Sequence, residues 1–171
     1  ISSTIEDLGE NKVNVSYDID LGTKARVTKI SFIGDKKFKD SKLKSVIVSE
    51  EYKIWKIISG KKFLNERMIA LDQKLLTSFY KNKGYFKVSI NSSFANYLGD
   101  DKFELIFNIS SGKKYFFNDI KLKLPIDYDE VNFIGLNSLF SKLKGKPYSL
   151  NSVNSILKKI DKIVLSEQYE F

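Results

Sequence analysis

The 171 residues contain no cysteine and no histidine. Disulfides, thiolate zinc sites and imidazole acid–base chemistry are therefore excluded. A chain without disulfides can work on either side of a membrane, so the compartment stays open on this ground alone. Arginine is almost missing: Arg26 and Arg67 are the only two among 29 cationic residues, set against 21 acidic ones for a net charge of +8. Surfaces that read bases or clamp phosphates lean on arginine's planar fork. Lys36, Lys37, Lys39, Lys42 and Lys44 alternate with other residues and read as a solvated face. A basic nucleic-acid-binding α+β protein is the rival from another class. No run approaches the ~20 apolar residues of a membrane helix, and no leader is visible at Ile1, where the sequence is already strand-like. The pattern is that of a piece of a longer chain. There is no phosphate-binding loop, dinucleotide fingerprint, nucleophile elbow or metal-ligand cluster. The short GDK at 34–36 and SGKK at 111–114 sit at turns. The sequence reads as that of a non-enzyme, with no cofactor.

What is present is a long internal repeat. Val13, Val15, Tyr17 and Ile19 alternate before Gly22, and Val27, Ile30 and Phe32 follow it. Phe103, Leu105, Phe107 and Ile109 alternate before Gly112, and Phe117, Ile120 and Leu122 follow, each 90 positions after its counterpart. A fixed long period means tandem structural units, and alternation on both flanks makes strands the seams between them. With 42% hydrophobic and 13% aromatic residues the chain can fill cores.

Taken in order, Ile1–Glu6 and Lys12–Asp20 form a hairpin turning at Gly9, and a new strand runs from about Ala25 to Gly34. Asp40 or Ser41 caps a short helix to about Val48, with Leu43, Val46 and Ile47 on one face. Tyr52, Ile54, Trp55, Ile57 and Ile58 pack over a core without a clean period. Leu64, Met68, Leu71, Leu75 and Phe79 recur at helical spacing behind an Asn65 cap, and Gly84 closes that helix. Val88, Ile90, Ser92 and Phe94 alternate as a strand, and Lys102–Ser110 is its hairpin partner. The elements then start again: a strand from Tyr115 to Leu124 ended by Pro125, a short helix within Asn132–Leu143, and a helix capped by Ser149. In that last helix Val153, Ile156, Ile160 and Val164 match Met68, Leu71, Leu75 and Phe79 at an offset of 85.

The expected class is α+β, with tandem units each built as a three-stranded mixed sheet covered by two helices. Residues 1–22 are the closing hairpin of a truncated unit, 23–112 a complete unit, and 113–171 a unit lacking its hairpin. Gly22, Gly34, Gly84 and Gly112 mark the turns and seams. The strongly apolar Lys102–Ser110 suits the centre of a sheet, and the more polar strand before it suits an edge. An edge strand offers unpaired N–H and C=O groups to an extended segment of another protein. Lys87, Val88, Ser89, Ile90, Asn91, Ser92 and Phe94 are accordingly the candidate protein-binding residues; Lys87, Asn91 and Ser92 would equally serve to blunt the edge. A hairpin without helices and helices without a hairpin also make strand exchange between fragments an expectation.

Strand–helix–helix–strand–strand units of 80–90 residues, with GYF at 84–86 after the second helix, resemble POTRA domains, in particular those of outer-membrane protein assembly factors. DLGTKARVTKISFIGDKKF resembles the family's opening strand and glycine-containing turn. The apolar insert around Ile54–Trp55 and KNKGYFKVSI resemble its third domain. The chain then corresponds to the end of a second domain, all of a third and most of a fourth. Leu124 in place of Gly34, and Gln168–Tyr169 in place of Gly84–Tyr85, depart from the pattern. The resemblance implies a module on the periplasmic side of the bacterial outer membrane that binds unfolded outer-membrane proteins and accessory lipoproteins of the assembly complex. It implies no nucleic acid, and membrane contact only through a barrel downstream. A POTRA module of another β-barrel transporter or of a division scaffold is the neighbouring alternative.

Overall fold

A computed structural model describes residues 2–19, 25–53, 63, 65–126 and 128–167, with the backbone alone for 91–94. Two antiparallel hairpins carry the repeat: β1 (Ser2–Gly9) with β2 (Lys12–Asp18), and β4 (Ser89–Gly99) with β5 (Lys102–Ser110). Both turn through two residues of positive φ, Glu10–Asn11 and Asp100–Asp101, the hairpin geometry whose twist matches the strands. Ile5 faces Val15 as Ala95 faces Leu105, Ser3 faces Tyr17 as Ser93 faces Phe107, and the register slips at Asp7/Gly9 as it does at Tyr97/Gly99. The 90-residue repeat therefore holds pair for pair in the backbone.

β3 (Arg26–Asp35) lies parallel to β5, giving a three-stranded mixed sheet in the order β3-β5-β4 with the apolar strand central. A register slip between Val27 and Lys29 resets the alternation. It brings Val27, Ile30 and Phe32 onto one buried face despite their odd spacing. α1 (Asp40–Lys44) and α2 (Glu66–Lys81) contribute Leu43, Leu76 and Tyr80 to the core against Leu105, Phe107 and Ile109. Side chains of this size contribute about 1.5–3 kcal/mol each on full burial.

The Asn65 side chain accepts from the N–H groups of Arg67 (2.9 Å) and Met68 (3.3 Å), the expected cap. At the other end the Tyr85 N–H reaches the Tyr80 carbonyl (3.1 Å) and the Gly84 N–H that of Lys81 (3.3 Å). With Gly84 at φ 98° and the Tyr80 and Tyr85 rings 5.7 Å apart, this is a Schellman stop with its apolar clasp.

Five local expectations are corrected. The buried face of α2 is Asp72, Leu76 and Tyr80, whereas Leu71 is 44% exposed. α1 follows Lys39, has no side-chain cap and stops at Lys44 instead of Val48. The cause is common to both: the fully buried Asp72 carboxylate takes the N–H groups of Val48 (2.6 Å) and Ser49 (3.3 Å). Those amides would otherwise bond within the helix. β4 begins at Ser89 and extends past Phe94 to Gly99. The segment Tyr115–Leu124 is not a strand; it makes a single bridge, Phe116 to Pro147. Finally, the caps Asn65 and Ser149 and the buried Tyr80 and Val164 align the two long helices at an offset of 84, one less than expected.

The last unit holds a 3-10 turn (Glu130–Leu136), α3 (Asn137–Leu143) and α4 (Leu150–Ser166) around Phe133, Leu136 and Val164, with Leu122 and Leu124 packed alongside. Ser149 accepts the Ser152 N–H at 3.3 Å, the expected cap of α4. The apolar insert around Ile54–Trp55, Gly22 and Gln168–Tyr169 lie outside the described residues. Among the described residues no helix is long and apolar enough to cross a membrane.

Two outcomes follow. Asp72→Ala leaves the part-buried Val48 and buried Ser49 N–H groups unpaired and lowers unfolding stability by about 2–3 kcal/mol, within the ~2–5 kcal/mol expected of Leu76→Ala. Urea denaturation of both variants checks this. The Asp35 carboxyl is held below the usual range by Lys37, then Ser111, and that of Glu104 by Ser31, then Lys29. Lowered folded-state values give stability that is present above pH ~4–4.5 and lost as pH falls below that range. Glu104→Gln should flatten the acid limb of a melting-temperature profile.

Candidate functional site

The two edges of the sheet are unlike. Along β3 the outer row is taken up by the protein's own chain. The Tyr52 N–H donates to the Val27 carbonyl (2.6 Å), the Glu51 carboxylate accepts the Ile30 N–H (3.0 Å), and Arg26 bridges to Phe63. Glu51 is itself held by Lys44 at 2.6 Å. Burial resists its ionisation, but the hydrogen bonds from Lys44 and Ile30 prevail and its pKa is lowered. Along β4 no backbone partner stands on the outer side among the described residues. β4 is the open edge.

Lys87 and Val88 precede this strand. The Lys87 ammonium sits over the Tyr115 ring at 5.9 Å, and the buried Val88 gives its N–H to the Tyr85 carbonyl (3.2 Å). Ser89 pairs with Ser110 and Ile90 with Ile109, and Ile90 packs against the core. The ladder skips Asn91 and resumes with Ser92 opposite Asn108 and Phe94 opposite Ile106. Bulges of this kind are common at sheet edges, where they interrupt pairing. Beyond Phe94 the edge continues through Ala95 and Asn96 to Tyr97 and Leu98, which are 61% and 49% exposed. The sequence reading ends this strand at Phe94 and so leaves these four residues out of the edge; the available signal was the 90-residue match of Glu10–Asn11 to Asp100–Asp101.

Of the seam glycines, Gly34 has φ 87° and any Cβ there would overlap the Ile109 carbonyl oxygen. A Cβ at Gly84 would lie 2.9 Å from Lys114 Cγ and 3.2 Å from the Tyr115 carbonyl oxygen. Gly112 has positive φ but open space around it. The Gly84 contact belongs to a joint between the end of α2 and the following residues. The Gly84 carbonyl accepts the Tyr115 N–H (2.8 Å), and the Asn82 side chain accepts the Asn151 N–H (2.7 Å) beside the α4 cap. Phe86 meets Tyr115 and Tyr148 edge-on at 5.9 and 5.0 Å. Across the sheet end, the buried Ser111 donates from N–H and Oγ to Asp35 (3.2 and 2.9 Å).

Several of the surface lysines are matched by acids: Lys36 with Asp40, Lys37 with Asp35, Lys29 with Glu104. Among the described residues no three His, Cys, Asp or Glu side chains come together as metal ligands.

One complete strand–helix–helix–strand–strand unit, with a parallel first and last strand and an open second, defines a class. The family model described as "POTRA: Surface antigen variable number repeat" matches residues 25–112, and the chain belongs to the POTRA family. Over all 171 residues it is 28% identical to the outer membrane protein assembly factor BamA of Neisseria meningitidis serogroup B, covering 21% of that protein. Over 122 residues, 71% of the chain, it is 27% identical to the same factor of Neorickettsia risticii, covering 16% of it. The chain thus spans about a fifth of the length of these relatives. Among solved structures, POTRA domains 3–5 of Haemophilus influenzae BamA match 99% of the chain and 61% of that structure, with a TM-score of 0.57 at 14% identity.

Gly84→Ala imposes both the left-handed conformation and the Lys114 contact, and should cost about 1–3 kcal/mol. Asn82→Ala removes one acceptor at the start of α4 and should chiefly speed amide exchange at Asn151. Calorimetry on the first variant and hydrogen exchange on the second separate strain from a loosened joint.

Proposed function

We propose that this chain is a periplasmic module of a BamA-like assembly factor for outer-membrane β-barrels. It receives unfolded outer-membrane proteins and docks accessory lipoproteins by strand addition along β4, without catalysis. Residues 23–112 act as the complete domain, corresponding to a third POTRA domain, with 1–22 closing the one before and 113–171 opening the next. The observation that carries the reading is the inequality of the edges: β3 is closed by Tyr52, Glu51 and Phe63, while among the described residues β4 keeps its outer row open.

Main-chain pairing supplies affinity with little sequence preference, which suits a handler of many clients. Transmembrane barrel strands are segments of about ten residues with alternating polarity. Such a strand, laid on β4, can set its apolar side chains beside Tyr97 and Phe103, whose rings lie 5.2 Å apart. The bulge at Asn91 limits the run available for pairing to the stretch from Ser92 onward. The lysines are an argument against the nucleic-acid alternative, since their acidic partners leave less free positive charge for a phosphate backbone.

A synthetic peptide of about ten residues with alternating apolar and polar side chains tests the reading by amide chemical-shift mapping. The shifts should concentrate on β4. Successive residues of an edge strand direct their N–H groups to opposite sides, so of Ala95→Pro and Asn96→Pro one removes an outward donor and leaves the sheet intact. That variant should bind the peptide at least tenfold more weakly. Equal affinity in both folded variants, or shifts centred elsewhere, would overturn the assignment to this edge.

A further inference from the structure

The two helix pairs of the chain are joined differently. In the complete unit residues 45–65 link α1 to α2, and the Asp72 carboxylate holds the N–H groups of Val48 and Ser49 against α2. In the last unit residues 144–149 alone link α3 to α4. At the offset of 84, Ile156 stands where Asp72 stands and offers that link no acceptor. Between α3 and α4 lies an open groove of about 260 Å³. Leu139, Leu143 and Ile156 line it half-buried, and Lys142, Lys146 and Lys159 line it exposed.

The sheet does not decide whether this side is open. α4 gives Ile160, Ile163 and Val164 to the small core beside Leu122 and Leu124, and a different stripe, Ser152, Ser155 and Lys159, to the groove. In the complete unit, where all three strands are in place, Leu71 matches Ser155 and is still 44% exposed. A finished sheet therefore leaves this side of the helix pair uncovered.

The charge on it is uncompensated. Residues 131–160 hold five lysines and no acidic residue, in a chain with 21 acids overall. Lys142, Lys146 and Lys159 have no acidic partner among the described residues, unlike Lys29, Lys36, Lys37 and Lys44 of the complete unit. An apolar side chain flanked by carboxylates would gain burial and charge complementarity there at once. We propose that this groove binds a short acidic segment of a partner protein, with one leucine-sized or aromatic side chain seated between α3 and α4. Size and chemistry narrow the occupant. A pocket for a free small molecule takes about 300–1,000 Å³; this groove is smaller and open, which fits a side chain carried on a longer segment. Lysine meets carboxylate and phosphate alike as a point charge, so the apolar lining decides between them. A nucleic-acid backbone has no apolar side chain to place there. A bilayer takes up an apolar face presented to it, whereas here the apolar side chains are half-buried between two helices among exposed lysines. The surface is also separate from β4, and it reads side chains where strand addition reads the main chain.

A short fluorescent peptide of leucines set among glutamates tests this on the full chain, by anisotropy at about 0.15 M salt. Two control peptides share its length, one with glutamine in place of leucine and one with glutamine in place of glutamate. The acidic leucine peptide should bind about tenfold more tightly than either control. Its amide shifts should fall on α3 and the first half of α4, away from β4. Lys142→Glu with Lys159→Glu should weaken binding by about tenfold. Lys158→Glu with Lys162→Glu, on the same helix but outside the groove, should weaken it by less than about threefold. All four lysines are exposed, so circular dichroism should show both variants folded. The proposal is overturned by no binding of the acidic leucine peptide, equal binding of the leucine-free one, or shifts centred elsewhere. Equal losses in the two double variants, or binding of anionic phospholipid vesicles in place of the peptide, would also overturn it.

Discussion

Parallel pairing of Arg26–Asp35 with Lys102–Ser110 is the constraint to which the rest of the complete unit answers. Strands running the same way cannot be joined by a tight turn, so a crossover is required. Here the crossover includes both helices, and their apolar sides cover one face of the sheet. β5 must then bond to β3 on one side and β4 on the other, which explains why its buried residues form an unbroken alternation of Leu105, Phe107 and Ile109. A central strand at the end of a unit has a further effect. The chain leaves from the middle of the sheet beside the end of β3, and the buried Ser111 is tied there to Asp35. The seam to the next segment is therefore fixed by backbone and side chain together, with the Gly84 turn and Phe86 packed against the residues that follow.

The same arrangement makes the edges unequal. The chain on its way from α1 to α2 passes the outside of β3 and spends its own N–H and carboxylate groups there. β4 closes its hairpin directly and meets no later segment among the described residues. An exposed edge invites aggregation unless it is interrupted. The skipped Asn91 interrupts pairing near one end of β4 and leaves the far end, with Tyr97 and Leu98, uncovered. Blunting and reception are compatible on one strand because they fall on different stretches of it.

Much of this was legible because it depends on contacts close in sequence. The Asn65 cap, the Gly84 stop and the hairpin alternations are all decided within a few residues. The central place of β5 was legible for another reason: a strand buried between two neighbours must be more apolar than an edge. What escaped was decided at a distance. Asp72 carries no signal in the helical spacing of Leu71 and Leu75, yet it accepts two N–H groups from a loop more than twenty residues away and so turns the whole helix face. The early end of α1 follows from the same bond. The odd step from Val27 to Ile30 needed a bulge that only the partner strand reveals.

Residues Tyr115–Leu124 make the limiting case. Their pattern repeats that of β3, they occupy the place of β3 ahead of their own helices, and their outer bridge is formed. They are nevertheless not a strand, because a strand is a property of a pair and its stabilising unit is the cross-strand contact. Sequence periodicity states which face a segment will bury once a partner arrives; it cannot supply the partner. The hairpin at the other end of the chain shows the converse, since β1 and β2 have each other and form a ladder even with their apolar face bare. Register is thus encoded within each hairpin, whereas completion of the sheet is encoded between segments far apart.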